Sequence, residues 1–133
     1  MKPFETKRLP LAADTIAPDG SAVRILLELE RGGLAHFELG PGDTSTAVAH
    51  RTIEEIWYFL AGRGEMWRKL AEQESVEPVE VGVCISIPVG THFQFRSFGP
   101  GPLCAIGATM PPWPGHAEAY TVEGKWTATV PRR

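Results

Sequence analysis

The chain has 133 residues, of which 43% are hydrophobic and 22% charged, with a formal net charge of −3. This is the composition of one ordinary globular domain, long enough to bury a core without disulfides or a structural metal. It excludes electrostatic capture of nucleic acid or of an anionic membrane, since 13 Lys and Arg are scattered along the chain and outnumbered by 16 Asp and Glu.

The opening segment, Met-Lys-Pro-Phe-Glu-Thr-Lys-Arg-Leu-Pro, lacks the apolar stretch of a signal peptide. No window approaches the roughly 18 apolar residues of a membrane-spanning helix. A cytoplasmic protein is expected. The first periodic segment sets Val23, Ile25, Leu27 and Leu29 against Arg24, Leu26, Glu28 and Glu30. Arg31-Gly32-Gly33 turns the chain, and Ala35, Phe37 and Leu39 then alternate with His36 and Glu38. Gly40-Pro41-Gly42-Asp43 predicts a second turn, and residues 44–50 lead into an aromatic strand over Glu55–Leu60. After Gly62-Arg63-Gly64 another strand is predicted over Glu65–Leu70. The polar run 71–78 reads as a solvent-exposed hairpin loop. Beyond it come Val79–Val81, the alternating Val83, Ile85 and Ile87, and strands near 92–97 and 103–109. The proline-rich stretch 111–115 cannot hold a regular ladder, so it is expected to wrap the barrel, held by Trp113. One helical turn is expected within 116–120. The basic end, Pro131-Arg132-Arg133, is too short for a binding arm. Cys84 and Cys104 each lie in an apolar run and read as reduced, buried thiols.

Period two throughout, with no sustained helical repeat, predicts an all-β jelly roll or small barrel. Two segments carry a more specific signal. In the first, Gly42 is followed by five residues, Val48-Ala49-His50, four residues, Glu55, six residues and Gly62. In the second, Gly82 precedes Pro88-Val89-Gly90 and Thr91-His92-Phe93-Gln94-Phe95-Arg96-Ser97. In this order and spacing they resemble the two conserved motifs of the cupin superfamily, over about residues 33–110. The resemblance implies a double-stranded β-helix (jelly-roll cupin barrel): a single cupin domain over 1–133, with its barrel core at about 21–110 and both terminal segments wrapped around it.

The family's metal site, three His and one Glu, implies a divalent transition metal as cofactor. Carried over residue by residue, it leaves His50 and Glu55. Val48 and Phe93 stand where the other ligands belong, and Ser97 replaces an Asn. His92 becomes a third ligand only if a bulge shifts strand parity by one; on the same logic Glu54 could replace Glu55. His116 and Glu118 lie on a tail that could fold over the barrel mouth. His36 falls on the face opposite Phe37 and Leu39. Arg68 and Arg96 could reach an anionic ligand but read as surface charges.

His50 and Glu55 are therefore candidate catalytic residues, an acid–base pair, with a plain buried ion pair as the structural alternative. Parity places Trp57 and Phe59 on the face of Glu55, and Phe93 with Phe95. With Val48 they are the candidate substrate-binding residues, lining an apolar pocket or simply filling the barrel. The expected function is binding of a small organic ligand, with isomerase-, epimerase- or lyase-type proton transfer. The alternatives are a metal-dependent cupin, dioxygenase-like or isomerase, using His50, Glu55 and His92, and a non-catalytic sensing module. Open sheet edges and apolar outer faces make a homodimer the expected assembly.

Overall fold

The aromatic strand read over residues 55–60 is realised as β5 (Glu54–Ala61), whose positions run exposed, buried, exposed, buried up to Leu60. Period two places one set of side chains in the core and the other outside, so Glu55, Trp57 and Phe59 face inward while Glu54, Ile56, Tyr58 and Leu60 face out. The computed structural model describes residues 2–131 except for the side chain of His116; Arg132 and Arg133 lie outside the described residues.

The chain forms β1 (Thr15–Ile16), β2 (Ala22–Glu28), β3 (Gly33–Leu39), β4 (Val48–His50), β5, β6 (Arg63–Leu70), β7 (Gln73–Glu80), β8 (Cys84–Ile87), β9 (His92–Ser97) and β10 (Leu103–Met110). A 3-10 turn (His116–Glu118) and β11 (Ala119–Thr121) follow. Two antiparallel sheets result, ordered β1-β2-β3-β10-β5-β8 and β11-β4-β9-β6-β7. This is the jelly-roll architecture. Among the described residues no helix is long and apolar enough to cross a membrane.

Between the sheets pack Leu39, Trp57, Phe59, Met66, Ile87, Phe93, Phe95 and Leu103, each at most 2% exposed. Gly42, Gly62, Gly82 and Gly90, which carry the motif spacing, all have φ between 78° and 94°. That region is open to glycine at no steric cost, and at Gly62 a Cβ would also run into the Pro102 carbonyl.

The polar run 71–78 departs from expectation. Only Ala71–Glu72 turn; Gln73 pairs with Leu70, and β7 follows β6 to Glu80 opposite Arg63. As the last strand of its sheet, β7 needs no alternating apolar face, and an edge position tolerates Pro78. Both thiols are free, but Cys84 is exposed rather than buried.

The C-terminal segment is tied to the outer face of β9. The Gln94 amide nitrogen donates to the carbonyls of Ser45 and Trp126, and its oxygen accepts from the backbone N–H groups of Lys125 and Trp126, all at 2.8–2.9 Å. Arg96 donates to Glu65 at 2.9 Å and lies 4.2 Å from the Trp126 ring, so it is fully engaged. Arg68 donates to the Ser86 carbonyl.

Candidate functional site

His50 ends β4 and Glu55 is the second residue of β5, so the turn at residues 51–53 sets their spacing. Glu118 holds that turn. Its carboxylate accepts from the Thr52 N–H at 2.7 Å, the Thr52 hydroxyl at 2.5 Å and the Ile53 N–H at 3.1 Å, while its carbonyl accepts from the Arg51 N–H. Glu118, named from the sequence as a residue that could fold over the mouth, thus positions the site from behind. His50 Nδ1 comes to rest 3.4 Å from Glu55 Oε1, with both side chains buried. The imidazole is further boxed by the rings of Phe93 and Trp113, each edge-on at 5.3 Å.

These two residues open onto a cavity of about 200 Å³ whose lining includes Val48, His50, Glu55 and Trp57 from the sequence-derived set. Phe59, Phe93 and Phe95 do not line it. They lie in the core, where Phe93 and Phe95 meet the Trp57 indole edge-on at 5.9 and 5.2 Å. Parity correctly assigns their face but says nothing of depth along the barrel.

His92 is a correction of a different kind. Along β9 it alternates with the buried Phe93 and Phe95 and pairs across to Lys69, and it is not part of the cavity lining. No bulge interrupts the β6–β9 register to turn it inward. Glu54 is likewise exposed, and the side chain of His116 lies outside the described residues.

The cavity also has walls that motif reading did not supply: Asp19, Val23, Phe37, Thr109 and Trp113 among them. Phe37 stacks on Trp57 with centroids 4.7 Å apart. Asp19 is 5% exposed and accepts from the Ser21 N–H and hydroxyl, both on Oδ1, at 2.9 and 2.6 Å. In sequence it looks like an ordinary turn aspartate, which is the local role those bonds play.

Burial dominates the electrostatics. It pushes the Glu55 carboxyl up to about 8; Asp19 adds to the shift, the Trp57 indole N–H opposes it, and Glu118 adds to it again. Burial lowers His50 to about 4, against the pull of the Glu118 carboxylate. Asp19 is raised by burial, opposed by its bonds from Ser21. At Glu118 burial alone would raise the carboxyl, but the hydrogen bonds from Thr52, Ile53 and Arg51 outweigh it and hold it below the usual range. At neutral pH Glu55 is thus mainly a protonated acid and His50 a neutral base. The pair is a donor–acceptor pair, not an ion pair. His50 Nδ1 and Trp57 Nε1 are both buried, and each is turned to the Glu55 carboxyl without a hydrogen bond of good geometry.

The donor set does not fit the family's metal. Val48 and Phe93, at the two lost ligand positions, are direct register partners across β4 and β9, each 1% exposed. Apolar bulk therefore fills that side of the site. Among the described residues no group of three His, Cys, Asp or Glu is arranged to hold an ion.

No family model matches the chain. Over 113 residues it is 33% identical to the uncharacterized protein MJ1618 of Methanocaldococcus jannaschii, covering 81% of this chain and 86% of that protein. Among solved structures it resembles the capsular polysaccharide assembling protein CapF of Staphylococcus aureus, with a TM-score of 0.69 and 19% identity over 88% of this chain. It also resembles oxalate decarboxylase of Bacillus subtilis, with a TM-score of 0.69 and 14% identity over 84% of this chain. The chain spans only about a third of either protein, 33% and 30% respectively. A double-stranded β-helix protein of Klebsiella pneumoniae is matched over 83% of this chain and 90% of its own, with a TM-score of 0.65 and 16% identity. At these identities the structural likenesses speak for the fold. Together with the motif glycines they show that this chain has the double-stranded β-helix fold of the cupins, and the sequence relationship makes it a member of one family with MJ1618.

Proposed function

We propose that this cupin binds a small organic molecule in the barrel cavity and moves a proton on it, in an isomerase-, epimerase- or lyase-type reaction. One observation carries the reading: a protonated Glu55 and a neutral His50 stand 3.4 Å apart on the wall of an apolar cavity. A neutral base accepts a proton from an activated C–H, and a neutral acid gives one to the oxygen that gains charge. Neither group first has to lose an ionic partner. The Trp57 N–H, turned to Glu55 but without a well-formed hydrogen bond, supplies a further donor for a ligand oxygen. The cavity, about 200 Å³, suits a ligand smaller than those of the roughly 300–1,000 Å³ sites that hold drug-sized molecules.

The test is solvent exchange. Small hydroxy-carbonyl and amino-carbonyl compounds are incubated with the protein in D₂O, and carbon-bound deuterium is followed by NMR. Exchange above the uncatalysed rate is expected for at least one bound compound, falling by at least ~100-fold in His50→Ala and Glu55→Gln. Binding without exchange would reduce the protein to a sensing module. No binding in the cavity would remove the reading altogether.

A further inference from the structure

We infer that the ligand of this cavity is a small organic ammonium compound carrying an oxygen, with Asp19 and Glu55 as partners of the cation and Trp57 as donor to the oxygen. The inference rests on the proposed reading of the cavity as a ligand site and adds the charge of what enters it.

The titratable lining residues are Asp19, Glu28, His50 and Glu55: three carboxyls, one imidazole, and no Lys or Arg. Glu28 is exposed and pairs with Lys2 at 3.3 Å, so it contributes little inside. Asp19 and Glu55 are buried at 5% and 3% exposure, without a cationic side chain among the lining residues. A carboxylate or phosphate ligand would enter beside two acids with nothing to pair with, which desolvation makes costly. A cation instead meets two acidic side chains and no competing cation among the lining residues. The rings of Phe37, Trp57 and Trp113 form part of the same wall, and aromatic surfaces attract ammonium groups. Independently of charge, Trp57 Nε1 and His50 Nδ1 are buried polar atoms on that wall that make no well-formed hydrogen bond, with only Glu55 nearby. An indole N–H needs an acceptor, which a bare ammonium lacks and a hydroxyl or carbonyl on the same ligand provides.

Calorimetry on the full chain with three probes of one shape tests this: choline, its uncharged carbon isostere neohexanol, and the tert-butylacetate anion. Choline is expected to bind at least ~10-fold more tightly than neohexanol, and the anion to give no binding heat. Asp19→Asn and Glu55→Gln should each lower the choline-to-neohexanol affinity ratio by ~5-fold or more; neohexanol binding in the same variants reports an intact cavity. If neohexanol or the anion binds as tightly as choline, the inference falls and the cavity reading stands. If none of the three binds, both fall.

Discussion

Gly107 lies directly beneath Trp57: a Cβ at this position would stand 2.8 Å from the indole Cδ1, 3.0 Å from its Nε1 and 2.7 Å from Phe37 Cε2. The glycine on β10 thus makes room for the stacked pair that forms the cavity wall. Gly107→Ala should push that stack toward the open space and destabilise the protein by about 1–3 kcal/mol through overpacking. Urea unfolding followed by tryptophan emission checks it. A loss below ~0.5 kcal/mol with unchanged emission would mean the wall is soft.

The pH dependence of stability follows from the pair. Glu55 is raised from 4.5 to about 8, so between those values only the unfolded chain has lost the proton, and stability falls as pH rises. His50 is lowered from 6.5 to about 4, so between those values only the unfolded chain is protonated, and stability rises with pH. The two slopes oppose each other from about 4.5 to 6.5, and Glu55 acts without His50 from about 6.5 to 8. Glu55→Gln should therefore gain stability relative to wild type as pH climbs from 6.5 to 8. Asp19, itself raised by burial, is present in both proteins, so the comparison reads Glu55 together with its coupling to Asp19. Parallel unfolding curves at pH 6.5 and 8 would contradict the assignment.

Because the lost ligand positions face each other, they should be restorable as a pair. Val48→His with Phe93→His adds two imidazoles beside His50 and Glu55. The double variant should retain stoichiometric divalent transition metal after dialysis, at a cost in core packing of about 2–5 kcal/mol without the ion. Wild-type protein, purified without a His tag, should not. A stoichiometric metal in wild type that disappears with His50→Ala would overturn this account of the site.

Removing Gln94 should free the tail. Gln94→Ala leaves the Ser45 and Trp126 carbonyls and the N–H groups of Lys125 and Trp126 without their present partner. The expected loss is about 2–4 kcal/mol, with new proteolytic cleavage after Lys125. An unchanged cleavage pattern would show that other contacts hold the segment.

The outer face of the six-stranded sheet carries Ile56, Tyr58 and Leu60, each more than 40% exposed, and the N-terminal segment presents a fully exposed Phe4. We propose that this sheet pairs with a second copy. Sedimentation at micromolar concentration should give a dimer, and Tyr58→Glu a monomer. A wild-type monomer under those conditions rules the pairing out.

The strands that build the barrel announce themselves in two ways: β2 and β3 by alternation, and β5 as a short aromatic and β-branched run from Glu55 to Leu60. The turns were equally legible, since Gly42, Gly62, Gly82 and Gly90 occupy backbone conformations few other residues tolerate. β7 was not, because an edge strand open to solvent needs no apolar face. At the site, parity gave the inward side of β4, β5 and β9 but not which inward residues reach the cavity. Hence Trp57 lines it while Phe59, two residues on, does not. Asp19 and Trp113 arrive from segments outside both motifs, brought in by the closure of the fold. Their sequence neighbourhoods carry no trace of the cavity.

The Glu118 clamp ties the turn between His50 and Glu55 to a residue 66 positions later than Thr52. Both polar members of the pair are synthesised well before the residue that fixes their spacing. The barrel strands can pair in the meantime, since β2 to β10 precede the clamp. The spacing of the pair is therefore set by a contact that only the late-made part of the chain supplies.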